Sequence, residues 1–204
     1  MIPVHPQPEP VHFDTEVRKK GSLWLLENPD AKSEKLPPYW RKVNEALWSA
    51  YGGVCAYLAV YFEFVTGAST TDHFIPKSVE PSLAYEWSNY RLSSLGANRR
   101  KGVSVILDPF DLESESFFLD ILTGAVYPNP EKAPDYKHRC EETIQTLGLN
   151  DARCISMRLE HIQQYLTCVV SEAYLQAKSP FVYYELRRQQ VVPVAAAPPE
   201  VFTL

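Results

Sequence analysis

An α+β fold, mostly helical and built as one domain with lobes, is what this 204-residue sequence predicts, and three observations carry that prediction. Two short strand-like segments, 70–74 and 90–94, flank a turn-rich stretch and lead into a short helix opening at Asn98, which together read as a compact ββα unit. Apolar residues at three- and four-residue steps in 38–50 and 150–173 mark amphipathic helices on either side of it. Chain length is the third: it suffices for one well-buried core with helical additions, but scarcely for two full domains.

Prolines at 3, 6, 8 and 10 keep the first dozen residues extended over the fold surface. Asp14 is positioned to cap a helix running through Val17, Leu23 and Leu26, with Gly21 as an interruption. The polar, proline-ended stretch 27–37 reads as a loop. Pro38 suits a first helical turn, after which Trp40, Val43, Leu47 and Ala50 share one face until Gly52-Gly53 stops the helix. The aromatic run 54–65 fits a buried strand or a buried helix; an irregular lead-in followed by a helix carrying Glu63 is expected. Strand 70–74, a helical turn at 83–87, strand 90–94 and the helix from Asn98 follow. Residues 117–127 alternate around Thr123-Gly124 as a hairpin would. Asn150-Asp151 starts a long helix with Ile155, Leu159, Ile162, Leu166, Val169 and Ala173 as its stripe, and Ser179-Pro180 starts another. The chain thus divides into an N-terminal extended arm with helices (1–53), a core with its following hairpin (54–130), a helical part (131–192) and an extended or disordered tail (193–204).

Hydrophobic residues at 45% and charged residues at 22% are ordinary for a globular protein, while 17 prolines against 8 glycines indicate stiff connections. No apolar run approaches the roughly 20 residues that span a bilayer. The start MIPVHPQPEP lacks a basic segment and an apolar core, so a cytoplasmic location without a membrane partner is expected. Cys55, Cys140, Cys154 and Cys168 form no close pair and are expected to be reduced. Net charge is −5, yet Arg91, Arg99, Arg100 and Lys101 cluster without an acid between 89 and 103. That local positive patch in an acidic molecule favours limited, site-directed contact with phosphates, or help from a partner.

Chemistry concentrates in 71–102. Asp72-His73, Asn89 and Asn98 occur in order within about thirty residues, followed by a basic run. Hydrolysis of a phosphodiester needs an activated water, stabilised phosphoryl charge and positioning, which one hard divalent cation and a neutral base supply. His73 is the candidate base. Asp72 and Asn98 offer hard oxygens suited to Mg²⁺ or Mn²⁺. Asn89 is expected to tie the loop after His73, and Lys101 with Arg99 or Arg100, joined by Lys77 and Arg91, to contact phosphate oxygens. Taken singly, each residue has a plainer reading: a His beside an Asp is more often structural, and an Asn before a basic run is often a helix cap. Tyr85, Trp87 and Tyr90 are better explained by buried packing than by base stacking.

The segments DHFIPKS, YEWSNYRLSS and NRRKG resemble the HNH endonuclease superfamily. The resemblance implies a ββα-metal unit in an H-N-N variant: His73 as general base, Asn89 for positioning, Asn98 as metal ligand and Asp72 as the metal-binding acid. It is strongest over 55–109, and the weaker LDPF, FFLDILTGAVYPNP and TIQTLGLNDAR extend it towards the HNH proteins of bacterial anti-phage modules such as Septu and retron systems. Many relatives frame the motif with two C-x-x-C knuckles. Here these places read Cys55-Ala56-Tyr57-Leu58 and Ser94-Leu95-Gly96-Ala97, so no structural zinc is expected. His138, Cys140, Cys154 and His161 match no common zinc spacing. The implied activity is DNA cleavage. An RNA (tRNA) nuclease, a non-catalytic nucleic-acid-binding or regulatory subunit on the same scaffold, and a metal-independent helical adaptor stay open. An ATPase partner or a homo-oligomer follows only from the likeness to defence modules, since the sequence has no P-loop.

Overall fold

Residues 1–65 and 69–193 are described by the structure, a computed structural model; the expected tail lies outside them from residue 194 on. Seven α-helices and two small antiparallel sheets among the described residues give the mixed α+β class. Contacts divide the chain into two compact units, Met1–Ser114 and Glu115–Leu204, so the hairpin grouped above with the core of 54–130 falls with the C-terminal helices.

In the first unit, residues 1–10 lack regular secondary structure but are tied down. Met1 is buried, the Val4 amide donates to the Pro109 carbonyl at 2.8 Å, and the Gln7 carbonyl accepts from the Trp87 indole at 2.8 Å. A π-helical turn, Asp14–Arg18, leads into α1 (Lys19–Glu27). Asp14 does not cap this helix; Phe13 before it is already helical, and the Asp14 carboxylate pairs with Arg18 and Lys19. The wider π turn also moves the apolar face: Phe13, Val17 and Gly21 are buried, whereas Leu23 and Leu26 are exposed. Gly21 sits against the ring of Tyr85, and a Cβ there would lie 2.0 Å from its Cγ. Tyr85 has no room to yield, being fully buried with its hydroxyl donating to the Pro37 carbonyl at 3.0 Å. Gly21→Ala should therefore lower stability by about 1–3 kcal/mol through overpacking. Helix propensity alone would raise it by roughly 1 kcal/mol, so the sign of the shift in a urea titration decides which effect wins.

A 3₁₀ turn, Tyr39–Val43, continues into α2 (Asn44–Ala50), with Val43 and Leu47 inward. The helix expected around Glu63 does not form. Instead 54–61 closes a tight turn: the Cys55 amide bonds the Val60 carbonyl, Val54 bridges Tyr61, and Ala59 takes φ +50°. The Ala56 amide also donates to the Leu92 carbonyl at 2.9 Å, so this turn is spent on the neighbouring sheet, and Cys55 and Tyr57 are fully buried by it.

Strand β1 (Ser69–His73) pairs antiparallel with β2 (Tyr90–Ser94), placing Asp72 opposite Arg91 and His73 opposite Tyr90. Two 3₁₀ turns, Pro81–Tyr85 and Trp87–Asn89, fill the connection. Helix α3 (Leu95–Lys101) begins directly after β2 because the Ser94 hydroxyl accepts the Ala97 amide. Asn98 is thus inside α3, not at its start. Phe13, Val17, Leu36, Val43 and Leu47 share one core with Tyr85, Trp87, Tyr90 and Leu92, so the N-terminal helices and the two-stranded sheet bury each other.

The second unit holds the hairpin of β3 (Phe117–Leu119) and β4 (Val126–Pro128), then α4 (Pro134–Leu147), α5 (Ala152–Leu166), α6 (Glu172–Lys178) and α7 (Pro180–Arg188). Side chains satisfy both hairpin edges. Asn150 bonds the amide and carbonyl of Val126, each at 2.8 Å. Buried Glu185 takes the Leu119 amide at 2.7 Å while Gln189 donates to the Leu119 carbonyl. On α5 the buried face is Cys154, Arg158, Ile162 and Tyr165: Ile162 is inward as expected, the others sit one residue before Ile155, Leu159 and Leu166 of the expected stripe, and Val169 is exposed. Arg158 reaches inward to the Gly124 and Leu149 carbonyls. Among the described residues, no helix is long and apolar enough to cross a membrane.

Candidate active site

The last residue of β1, His73, has its imidazole between Trp40 and Tyr90, both edge-on at ring separations of 4.7 and 5.2 Å. Its Nε2 lies 2.9 Å from the Ala84 carbonyl. A carbonyl only accepts, so Nε2 carries the proton and Nδ1 presents a lone pair, with no hydrogen-bond partner for it among the described residues. Burial pushes the imidazole down to about 4, against the pull of the Ala84 carbonyl and assisted by Lys77 and Lys101. The ring is therefore neutral at physiological pH, with one nitrogen able to take a proton.

Asp72 points into the protein from the same strand. Its Oδ2 accepts the hydroxyl of fully buried Tyr57 and the ammonium of Lys101 at 3.1 Å. Lys101 is itself fully buried and also donates to the His73 carbonyl at 3.1 Å. Burial pushes the Asp72 carboxyl above its ordinary range, partly offset by Lys101 and Tyr57; burial likewise pushes the Tyr57 hydroxyl well up, so it stays a donor. Arg91, opposite Asp72, is held bidentately by Asp108 at 2.8 and 2.5 Å, donates to the Ser88 and Tyr90 carbonyls, and lies 3.4 Å over the Phe110 ring. Neither Arg91 nor Lys101 is presented to a phosphate as expected. Both are turned inward, because each has a carboxylate partner inside the fold.

Asn89 is buried, and its amide closes the loop after His73: Oδ1 accepts the Ile75 amide at 2.8 Å while Nδ2 donates to the Ile75 and Leu83 carbonyls. Asn89→Ala strands the amide and carbonyl of Ile75, while the Leu83 carbonyl keeps the Glu86 amide, and should cost roughly 1–3 kcal/mol, measurable as a lowered urea midpoint. On α3, the Asn98 Nδ2 donates to Thr70 Oγ1 at 3.0 Å. The Thr70 hydroxyl hydrogen goes to the Ser93 carbonyl, so this oxygen must accept from Asn98, and the Asn98 Oδ1 faces away from it. Arg99 and Arg100 are on the exposed side of α3.

Asp72, His73 and Asn98 line one open cavity of about 460 Å³, together with Thr71, Lys77, Gly102, Glu34 and Trp40. Lys77 sits 4.7 Å over the Trp40 ring. The lining residues Ser33, Glu34 and Trp40 escaped sequence reasoning: Trp40 read only as a core position, and nothing in its spacing tied it to His73. Tyr57 escaped too, inside an apolar run, although its place in the first knuckle position was visible.

One carboxylate and one amide are too few for a closed metal cage, and no group of three or more His, Cys, Asp or Glu positioned for a metal occurs among the described residues. Two hard oxygens on one cavity wall do fit a hydrated Mg²⁺ or Mn²⁺, which keeps several waters and shares substrate phosphates. The chemistry of the pair is suitable, while the Lys101 ammonium on the same carboxylate opposes it.

Depressed histidines also set an acid limit. The folded state holds His73 at about 4 and, by burial, His161 below its ordinary value, so the unfolded chain takes up protons first. The His73 contribution is complete above about pH 6.5 and is lost as pH falls towards 4, by up to about 1.4 kcal/mol per pH unit, and His161 adds a loss of the same sign. The raised Asp72 works in the opposite sense at the acid end. Melting in EDTA between pH 7 and 4.5 should show this loss, flattened in His73→Gln.

No family model matches the chain. It is similar to a protein of Vibrio cholerae serotype O1 biovar El Tor named "Retron Vc95 putative HNH endonuclease", with 24% identity over 177 residues, 81% of this chain and 84% of the relative. The likeness thus extends well beyond the ββα segment that carries the site.

Proposed function

We propose that this protein is a metal-dependent HNH endonuclease that hydrolyses phosphodiester bonds in DNA. The observation that carries the reading is His73: neutral, its Nε2 proton committed to Ala84, its Nδ1 bare, on the wall of the cavity that Asp72 and Asn98 also line. In the reaction His73 Nδ1 takes a proton from water as the water oxygen bonds to phosphorus, and the bond to the leaving oxygen breaks. Asp72 and Asn98 hold the Mg²⁺ or Mn²⁺, which when bound stabilises charge on the phosphoryl and leaving oxygens. Asn89 and Trp40 hold the imidazole in place, and Lys77, Arg99 and Arg100 meet the phosphate backbone.

The retron in the relative's name agrees with the sequence likeness to defence-module proteins, and on that likeness we propose a role in anti-phage defence in the cytoplasm, with an ATPase or a second copy of the chain as partner. Purified protein should nick supercoiled plasmid in Mn²⁺ and leave tRNA intact. Cleavage of tRNA alone would move the substrate to RNA, and cleavage of neither would favour the non-catalytic subunit, which the Lys101–Asp72 pairing also supports.

A further inference from the structure

Lys101 is an unusual neighbour for a metal-binding carboxylate. Its stem and ammonium are fully buried at the end of α3, and the ammonium bridges Asp72 Oδ2 and the His73 carbonyl, both at 3.1 Å. Tyr57 donates to the same Asp72 oxygen. The ordinary reading of a basic residue here, a phosphate clamp, fails because the ammonium is sealed from solvent. What remains is its charge. The charged side chains of the cavity wall are Glu34, Asp72 and Lys77, and with Lys101 behind Asp72 the four sum to zero. Asn98 and His73 add none. A divalent cation entering this cavity would find no net negative charge and would share its only buried carboxylate with an ammonium.

We propose that Lys101 is a built-in counter-ion for Asp72 that keeps the substrate-free site electrostatically satisfied, so that divalent-cation binding depends on the phosphodiester the cavity takes in. The inference rests on the nuclease reading and concerns regulation of that same site. A phosphodiester brings the negative charge that the wall lacks, so cation and nucleic acid each strengthen the other's binding by the same factor. Lys101 sets that factor. Tyr57 is a positioning residue beside it, keeping the Asp72 carboxylate oriented while the ammonium neutralises it.

The test uses the full chain carrying His73→Ala, whose expected cleavage is too slow to consume the substrate during a titration. Mn²⁺ is titrated calorimetrically with and without a short DNA duplex, and duplex binding is measured with and without Mn²⁺. Mn²⁺ affinity should rise by at least about tenfold with duplex present, and duplex affinity by the same factor with Mn²⁺. Adding Lys101→Gln, which keeps a donor near the His73 carbonyl but removes the charge, should tighten Mn²⁺ binding in the absence of DNA and shrink the coupling towards one. Equal Mn²⁺ affinity with and without duplex overturns the counter-ion role whether or not the Lys101→Gln chain folds. Coupling that persists unchanged in Lys101→Gln overturns it too, while leaving the nuclease reading intact. No Mn²⁺ uptake in any arm overturns the nuclease reading itself.

Discussion

His73→Ala is expected to lower metal-dependent cleavage by about 10²–10⁴-fold, the contribution of a positioned general base. The loss is chemical and not structural. The imidazole is lodged between Trp40 and Tyr90 and makes one hydrogen bond, to the Ala84 carbonyl. That carbonyl keeps a second donor in the Tyr90 hydroxyl at 2.8 Å, so no backbone acceptor is stranded by the change. Asp72 keeps its partners Tyr57 and Lys101. His73→Ala should therefore retain a cooperative urea transition and Mn²⁺ uptake in the presence of DNA while its turnover collapses. Wild-type turnover in the variant would remove His73 from the chemistry.

A chain cut to residues 54–110 should not fold, although it contains the whole ββα unit. Tyr85, Trp87, Tyr90 and Leu92 bury against Phe13, Val17, Leu36, Val43 and Leu47, and uncovering each large apolar side chain costs about 1.5–3 kcal/mol. Four such losses match the whole stability of a typical domain, which is about 5–15 kcal/mol. The N-terminal arm adds the Val4–Pro109 and Gln7–Trp87 bonds. The fragment is expected to show no sigmoidal denaturation and no near-ultraviolet circular dichroism. A cooperative transition would mean that the motif is self-sufficient.

The two strands were legible from the turn-rich stretch between them, and Asp72, His73, Asn89 and Asn98 could be picked out as candidates by residue type and order; the structure places Asp72, His73 and Asn98 on one cavity and Asn89 in the loop after His73. Lys101 and Arg91 were not legible as interior groups. A basic run says nothing about which side chain turns inward, and the partner of Arg91, Asp108, lies in a different stretch of sequence. The 54–65 run misled for a related reason: a segment apolar except for Glu63 looks alike as a helix and as a buried turn, and here Ala56 bonding to Leu92 chose the turn. Leu23 and Leu26 were misplaced because a π turn before α1 broke the 3.6-residue register that the apolar pattern presumes.

The most direct measurement of nuclease function is plasmid nicking by purified, nuclease-free wild-type protein through one cycle of Mn²⁺, excess EDTA and restored Mn²⁺, with His73→Ala alongside. Nicking that stops in EDTA, returns with Mn²⁺ and is absent from the variant is the expected result. Nicking that persists in EDTA, or that His73→Ala matches, would contradict a metal-dependent site built on His73.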